Sequence, residues 1–147
     1  MKTKTITVQN TVNAPVEKTW ELWTKPEHIV KWYYASDDWH APYAENDLKV
    51  NGKFKTRMEA KNKSAGFDFE GTYTAVEKHK SIEYKIADGR KVKITFEKSG
   101  KNTKVTEAFE MENTNPEEMQ RNGWQAILDN FKKYAEKSVN KVLSNKS

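Results

Sequence analysis

The chain reads as an α+β domain in which the strands form an antiparallel meander, two short helices follow the first strand, and one long helix closes the sequence. Three observations predict this. Apolar residues alternate with polar ones in six separate segments between Lys4 and Met111. Tight-turn residues, Asp88-Gly89 and Gly100 among them, separate the later segments. From Met119 onward, apolar residues recur at helical spacing instead. Strands segregated from helices and joined by short turns favour an antiparallel sheet over a doubly wound parallel one. A length of 147 residues suits one domain, residues 1–147.

The first strand runs from Lys4 to Val12, with Ile6, Val8 and Val12 on one face and Asn10 placed among them. Pro15 suits a helix first turn, where its missing N–H would be unpaired anyway. Val16, Thr19, Trp20 and Trp23 then follow at helical spacing, and a second short helix begins near Pro26 with Ile29, Val30 and Trp32 as its apolar face. Residues 34–46 show no period and contain one proline, so they read as a loop carrying Trp39 and Tyr43.

In "DLKVNGKFKTRMEA", Leu48, Val50, Phe54 and Met58 alternate with lysines and Arg57, which predicts the second strand. Phe67, Phe69, Gly71 and Tyr73 form the third, with Val76 after a phase slip. Ile82, Tyr84 and Ile86 make the fourth, Val92, Ile94 and Phe96 the fifth, and Val105, Glu107, Phe109 and Met111 the sixth. Asn115-Pro116-Glu117-Glu118 is a helix start with acids where the dipole favours them. Met119, Trp124, Ile127, Leu128, Phe131, Ala135, Val139 and Val142 supply the apolar stripe of the helix.

Composition excludes several functions. There is no cysteine, so disulfides, zinc-thiolate sites and thiol catalysis are ruled out. The formal net charge is +5, but both signs are interspersed and only Arg57, Arg90 and Arg121 are arginines. Such a surface reads as solvated, not as a nucleic-acid reader built from arginine forks. No apolar run approaches the ~20 residues that span a bilayer, and "MKTKTITVQN" lacks a signal peptide's hydrophobic core, so the expected location is cytoplasmic. The mean hydropathy is -0.99, yet residues 13–34 hold three of five tryptophans and a tyrosine pair.

Strand parity turns Phe54, Phe69, Tyr73, Tyr84 and Phe109 inward, facing Trp124 of the long helix. These rings either pack as an ordinary core or leave a ligand cavity between sheet and helix. Two glycines favour the cavity. Gly123 interrupts the helical stripe at a cost of about 1 kcal/mol, and Gly71 leaves space or permits a bend on the inward face of a strand. Glu107 is the one carboxylate whose parity points inward. Either a bulge turns it out, or Arg57, Arg121 or a tyrosine hydroxyl pairs with it, or it stands unpaired with a raised pKa.

A catalytic constellation is not evident. His28, His40 and His79 have no partner at metal-ligand spacing, and Asp37-Asp38-Trp39-His40 reads as a solvated loop. There is no G-x-S-x-G, phosphate loop or dinucleotide fingerprint.

"NAPVEKTWELWTKPEHIVKWY", "DLKVNGKF", "FEGTYTAVEKHKSIEY" and "NGWQAILDNFKKY", in this order, resemble the START-like (SRPBCC) superfamily, and within it the homologues of the activator of the heat-shock protein 90 ATPase. The resemblance spans about residues 5–143. It implies a helix-grip (START/Bet v 1-like) fold, with a curved six-stranded antiparallel sheet holding the C-terminal helix around a mainly apolar cavity. Where the family often has two glycines, this chain has Asn51-Gly52, which would stiffen that turn.

On this resemblance Trp20 and Trp23 lie against the sheet, while Trp32, Tyr34 and Trp39 stand at the cavity rim. Phe54, Met58, Phe69, Tyr73 and Tyr84 line the cavity from the early strands. Glu107, Phe109, Met119, Trp124 and Ile127 line it from the last strand and the helix. The expected function is non-enzymatic binding of a small hydrophobic ligand, lipid-like or aromatic, without a cofactor, by a monomer or weak dimer with a place in a stress response. The alternative is a chaperone-associated module that binds a protein partner. A third reading is a small-molecule enzyme using Glu107 or a loop carboxylate.

Overall fold

The computed structural model describes residues 4–145, with side chains to residue 139. Strand β1 (Thr5–Val12) is followed by helices α1 (Val16–Thr24) and α2 (Pro26–Ile29). Six more strands follow: β2 (Trp39–Asn46), β3 (Lys53–Ala60), β4 (Gly66–Glu77), β5 (Ser81–Ile86), β6 (Lys91–Ser99) and β7 (Asn102–Glu110). Helix α3 (Glu117–Asn145) completes the chain. All neighbours are antiparallel, in the order β1-β7-β6-β5-β4-β3-β2. This is the expected helix-grip architecture. Val142, counted into the helical stripe, lies outside the described side chains.

The sheet has seven strands where the alternation predicts six, because residues 39–46 form β2 and not a loop. Its period is hidden by a register shift between His40 and Tyr43, next to Pro42. Proline lacks the ladder N–H, so it is tolerated on an edge strand or at a bulge, and β2 is an edge paired only to β3. The second predicted strand in turn starts later than its alternation suggests. Residues 47–52 make a tight turn in which Gly52 N–H donates to the Lys49 carbonyl (2.8 Å), and Val50 is left 54% exposed. Asn51 takes a left-handed φ of 71°, a conformation asparagine tolerates better than most residues. A Cβ on Gly52 would stand 2.0 Å from the Asp47 carbonyl oxygen, so this glycine is required.

The phase slip in the third predicted strand is a bulge. Register shifts between Tyr73 and Ala75, which returns Val76 to the core side. Gly71 is also explained by packing. A Cβ there would lie 2.5 Å from the Lys85 carbonyl oxygen and 2.9 Å from the Phe54 ring. We therefore expect Gly71→Ala to cost about 1–3 kcal/mol in denaturant unfolding, as overpacked positions do; an unchanged midpoint would contradict this close approach.

At the other edge, β1 is covered by α3. Gln125 and Lys132 donate to the carbonyls of Gln9 (3.2 Å) and Thr11 (2.7 Å), and Asn10 donates to Asp129 (2.7 Å). Satisfying edge groups this way blocks strand addition. It also accounts for Asn10 on an otherwise apolar strand face.

The concentrated rings of residues 13–34 build a plug at one end of the sheet. Trp23 packs on Trp32 and on Phe131 of α3, each pair with centroids 4.7 Å apart, and Trp20 meets Phe96 edge-on at 5.2 Å. Trp32 is fully buried and its indole N–H donates to the Leu22 carbonyl at 3.0 Å. The plug is tied to α3 by Asn130, which donates to the Trp32 carbonyl (2.7 Å), and by the His28–Tyr134 hydrogen bond (2.7 Å).

Candidate functional site

Two spaces of very different size lie against the inner face of the sheet, an inner one under α1 and α2 and an outer one beside α3. The inner one is only about 40 Å³, room for a water or two. Phe54, Phe69, Tyr73 and Tyr84 surround it with their own rings; Phe54 lies 4.8 Å from Tyr84 and 5.2 Å from Tyr73. The Tyr73 hydroxyl donates to Asn46, whose amide in turn donates to the Thr24 carbonyl (2.6 Å), so this end is sealed by hydrogen bonds as well as by rings.

The outer space is an open cleft of about 500 Å³. Its floor is β7, its one wall the first turns of α3, and its other wall the facing ends of β3 and β4 with the segment after α2. Among the residues expected from sequence, Tyr34, Trp39, Met58, Phe69, Glu107, Met119, Trp124 and Ile127 are brought together here. Phe109 is fully buried behind the cleft, stacked on Trp124 with centroids 3.9 Å apart and planes 9° off parallel, so it positions the Trp124 ring without lining the space. Of the two spaces, Phe54, Tyr73 and Tyr84 line only the inner one. Trp32, expected at the rim, is instead a core residue of the plug and lines neither space, because the helical turn after Ile29 directs it towards Trp23 and Phe131.

Residues not expected from sequence also line the cleft. Tyr33, between two predicted neighbours, stacks on Phe69 (5.7 Å) and borders both spaces. Its i+4 spacing from Ile29, continued by the Tyr33 N–H to Ile29 carbonyl bond (3.1 Å), is the signal that could have found it. Phe67, likewise not expected, stands at the mouth beside the expected Met119; they are 48% and 60% exposed. Gly123 faces the open space, and a Cβ there would meet nothing within 4 Å. Gln120 holds the cleft's upper corner: its amide donates to the carbonyls of Glu112 (3.0 Å) and Asn115 (2.8 Å), and its oxygen accepts from Glu112 N–H (2.9 Å).

Glu107 is the chemically distinctive group. Register with Val8 on β1 and Ile94 on β6 is regular, so no bulge turns it outward, and it is 4% exposed. Arg57 pairs with Glu59 and Asp68, and Arg121 with Glu117 and Glu118, so neither is its partner. Burial alone pushes its pKa from 4.5 up to about 8, with no charge or hydrogen bond to offset it. Burial also raises the Tyr33 and Tyr84 hydroxyls above the usual tyrosine range, and the nearby Glu107 adds to both. Among the described residues no group of three His, Asp or Glu side chains is placed to hold a metal ion.

The family model described as "Activator of Hsp90 ATPase homolog 1-like protein" matches residues 13–136. The chain belongs to this family. A member from Aeromonas hydrophila, described as AHSA1-like and solved by NMR, is 39% identical, with a TM-score of 0.87 over 92% of this chain and 94% of that one. A protein from Cytophaga hutchinsonii is 51% identical over the same shares, with a TM-score of 0.78. A Nitrosomonas europaea protein, 18% identical with a TM-score of 0.79 over 91% of this chain and 95% of that one, shares the fold. No curated protein matches the chain. Family membership supports a ligand-binding helix-grip domain, and among the described residues no helix is long and apolar enough to cross a membrane.

Proposed function

We propose that this chain is a non-catalytic binding protein that takes up a small, mainly apolar molecule, aromatic or lipid-like, in the outer cleft, as a cytoplasmic monomer or weak dimer. The observation that carries the reading is the cleft itself: about 500 Å³ walled by Tyr33, Trp39, Phe69, Trp124 and Ile127. That size and lining are typical of small-molecule sites, which are concave, apolar and contain few polar groups. The inner space is too small for such a guest. Binding therefore falls to Trp124, Phe69 and Trp39, and the roles of Phe54, Tyr73, Tyr84, Phe109 and Trp32 are to hold the walls in place.

Gly123 supplies the test. Gly123→Leu adds a side chain into open cleft and improves helix propensity, so it should leave stability equal or higher by up to about 1 kcal/mol. A library of small aromatic and fatty compounds, screened by NMR on labelled protein, should shift the Trp124 indole and Gly123 amide signals of the wild type. Gly123→Leu should weaken the same hits at least tenfold. Hits that bind the variant unchanged, or no hits at all, would remove the reading.

The family description, together with the exposed Phe67 and Met119 at the cleft mouth, supports a second reading as a module that docks on an ATP-dependent chaperone. It predicts a changed chaperone ATPase rate that survives Gly123→Leu and is lost in Phe67→Ser/Met119→Ser.

A further inference from the structure

Glu107 is a largely buried residue in the cleft wall whose carboxyl makes no hydrogen bond or ion pair to another described side chain; because no fully buried side-chain oxygen among the described residues is left unpaired, that carboxyl opens onto the cleft. It is 4% exposed and lines the cleft together with Trp124, and its regular pairing on both sides keeps the side chain on the inner face of the sheet. The groups around it are uncharged or already engaged. β1 and β6 present Val8 and Ile94 beside it, and α3 presents Gln120 and Trp124 to the same cleft. The phenols of Tyr33, Tyr73 and Tyr84 are all held neutral by burial. Arg90 reaches the cleft from the β5–β6 turn but is paired with Asp88 at 2.8 Å, and Glu112, beyond the end of β7, accepts from the Asn115 N–H at 2.6 Å.

A carboxyl held this way is uncharged near neutral pH, since burial without a partner penalises the charged form. It then carries one O–H donor as well as acceptor capacity. Of the two, the donor is the one more in need of a partner in an apolar cleft, because orphaned donors in protein interiors are rarer than under-used carbonyl oxygens. No hydrogen bond to another described side chain engages this carboxyl, so its O–H is available to a guest in the cleft.

Resting on the reading of the cleft as the binding site, we propose that Glu107 donates a hydrogen bond from its protonated carboxyl to a carbonyl-type oxygen on the guest, so that the cleft selects uncharged apolar molecules bearing one acceptor. A cationic amine would instead require the carboxyl to ionise and both charges to be desolvated, which the attraction between them need not repay.

Three compounds on one skeleton separate these cases: 2-acetylnaphthalene, 2-ethylnaphthalene and 2-naphthylmethylamine, titrated into the full chain by calorimetry, with NMR shifts at Trp124 and Gly123 to place them. The acetyl compound should bind the wild type more tightly than the ethyl compound at pH 6.5. That preference should fall about tenfold or more by pH 9.5, as the carboxyl ionises near its raised pKa and its donor is lost. In Glu107→Gln, which keeps a neutral N–H donor, the preference should persist and become independent of pH. Should that variant fail to fold, the wild-type pH profile carries the test alone. Probes that bind in the cleft with a preference flat in pH, or an amine that binds best and tightens with pH, overturn the donor role while leaving the cleft reading in place. If none of the three shifts the cleft signals, both fall together.

Discussion

Trp32→Ala is expected to remove most of the stability of the fold. The side chain is fully buried, packs on Trp23, Tyr33 and Phe131 at centroid distances of 4.7, 5.0 and 4.7 Å, and donates to the Leu22 carbonyl. Truncating a buried tryptophan typically costs about 3–5 kcal/mol, from lost transfer energy and the cavity left behind. The orphaned Leu22 carbonyl adds to this. Against a usual total of about 5–15 kcal/mol, the variant should unfold at much lower denaturant or fail to accumulate folded. Trp39→Ala is the control, because that ring is only half-buried at the cleft edge, so its loss should be milder. Equilibrium unfolding in urea decides between them. A Trp32→Ala cost below that of Trp39→Ala would contradict the assignment of Trp32 to the plug.

The second large effect is in the pH dependence of stability, through Glu107. Its folded pKa is raised from 4.5 to about 8, so between those values the folded protein holds a proton that the unfolded chain has released. Stability must then decline as pH rises through this window and level off above it. A tenfold difference in proton affinity between the folded and unfolded chains is worth about 1.4 kcal/mol, so the wild type should lose on the order of 4 kcal/mol between pH 5 and pH 8.5 relative to Glu107→Gln, which does not titrate. The comparison with the variant matters because other carboxylates act in the opposite sense. Lys25 and Lys18 hold Glu21 below its usual range; burial would raise Glu136, but Lys132 and the Asn13 N–H outweigh it and hold that carboxyl low as well. Their contributions are present above the unfolded pKa and fade as pH falls, equally in both proteins, so they cancel in the difference. Urea unfolding of the two proteins across pH 5 to 9 measures it. Parallel stability curves would show that Glu107 ionises normally, through water or a partner that reaches it.

Much of this protein is written in short-range pattern. Alternation located β1 and β4 to β7, the Asp88-Gly89 turn and the bulge near Val76, because side-chain parity on a strand is a local property that needs no partner to be read. The same parity placed Glu107 inward, and helical spacing placed Trp23 in the core. β2 escaped that logic. An edge strand interrupted at His40–Tyr43 exists only because β3 pairs with it, and neither Pro42 nor the mixed burial of residues 39–46 announces it.

The candidate site was legible in composition but not in position. Sequence alone determined that aromatic residues face inward, that a glycine opens the helical stripe at Gly123, and that strand parity turns one carboxyl, Glu107, inward unless a bulge intervenes; the regular register that excludes the bulge came only from the structure. Only the tertiary structure decided that Phe54, Tyr73 and Tyr84 close up to leave about 40 Å³ while the usable space of about 500 Å³ lies further out. It alone decided that Trp32 belongs to the plug and that no arginine reaches Glu107. The physical reason is that periodicity reports which face a side chain takes, whereas a hollow is the volume left over after rings from distant strands and α3 have packed, and that remainder is a property of all of them together.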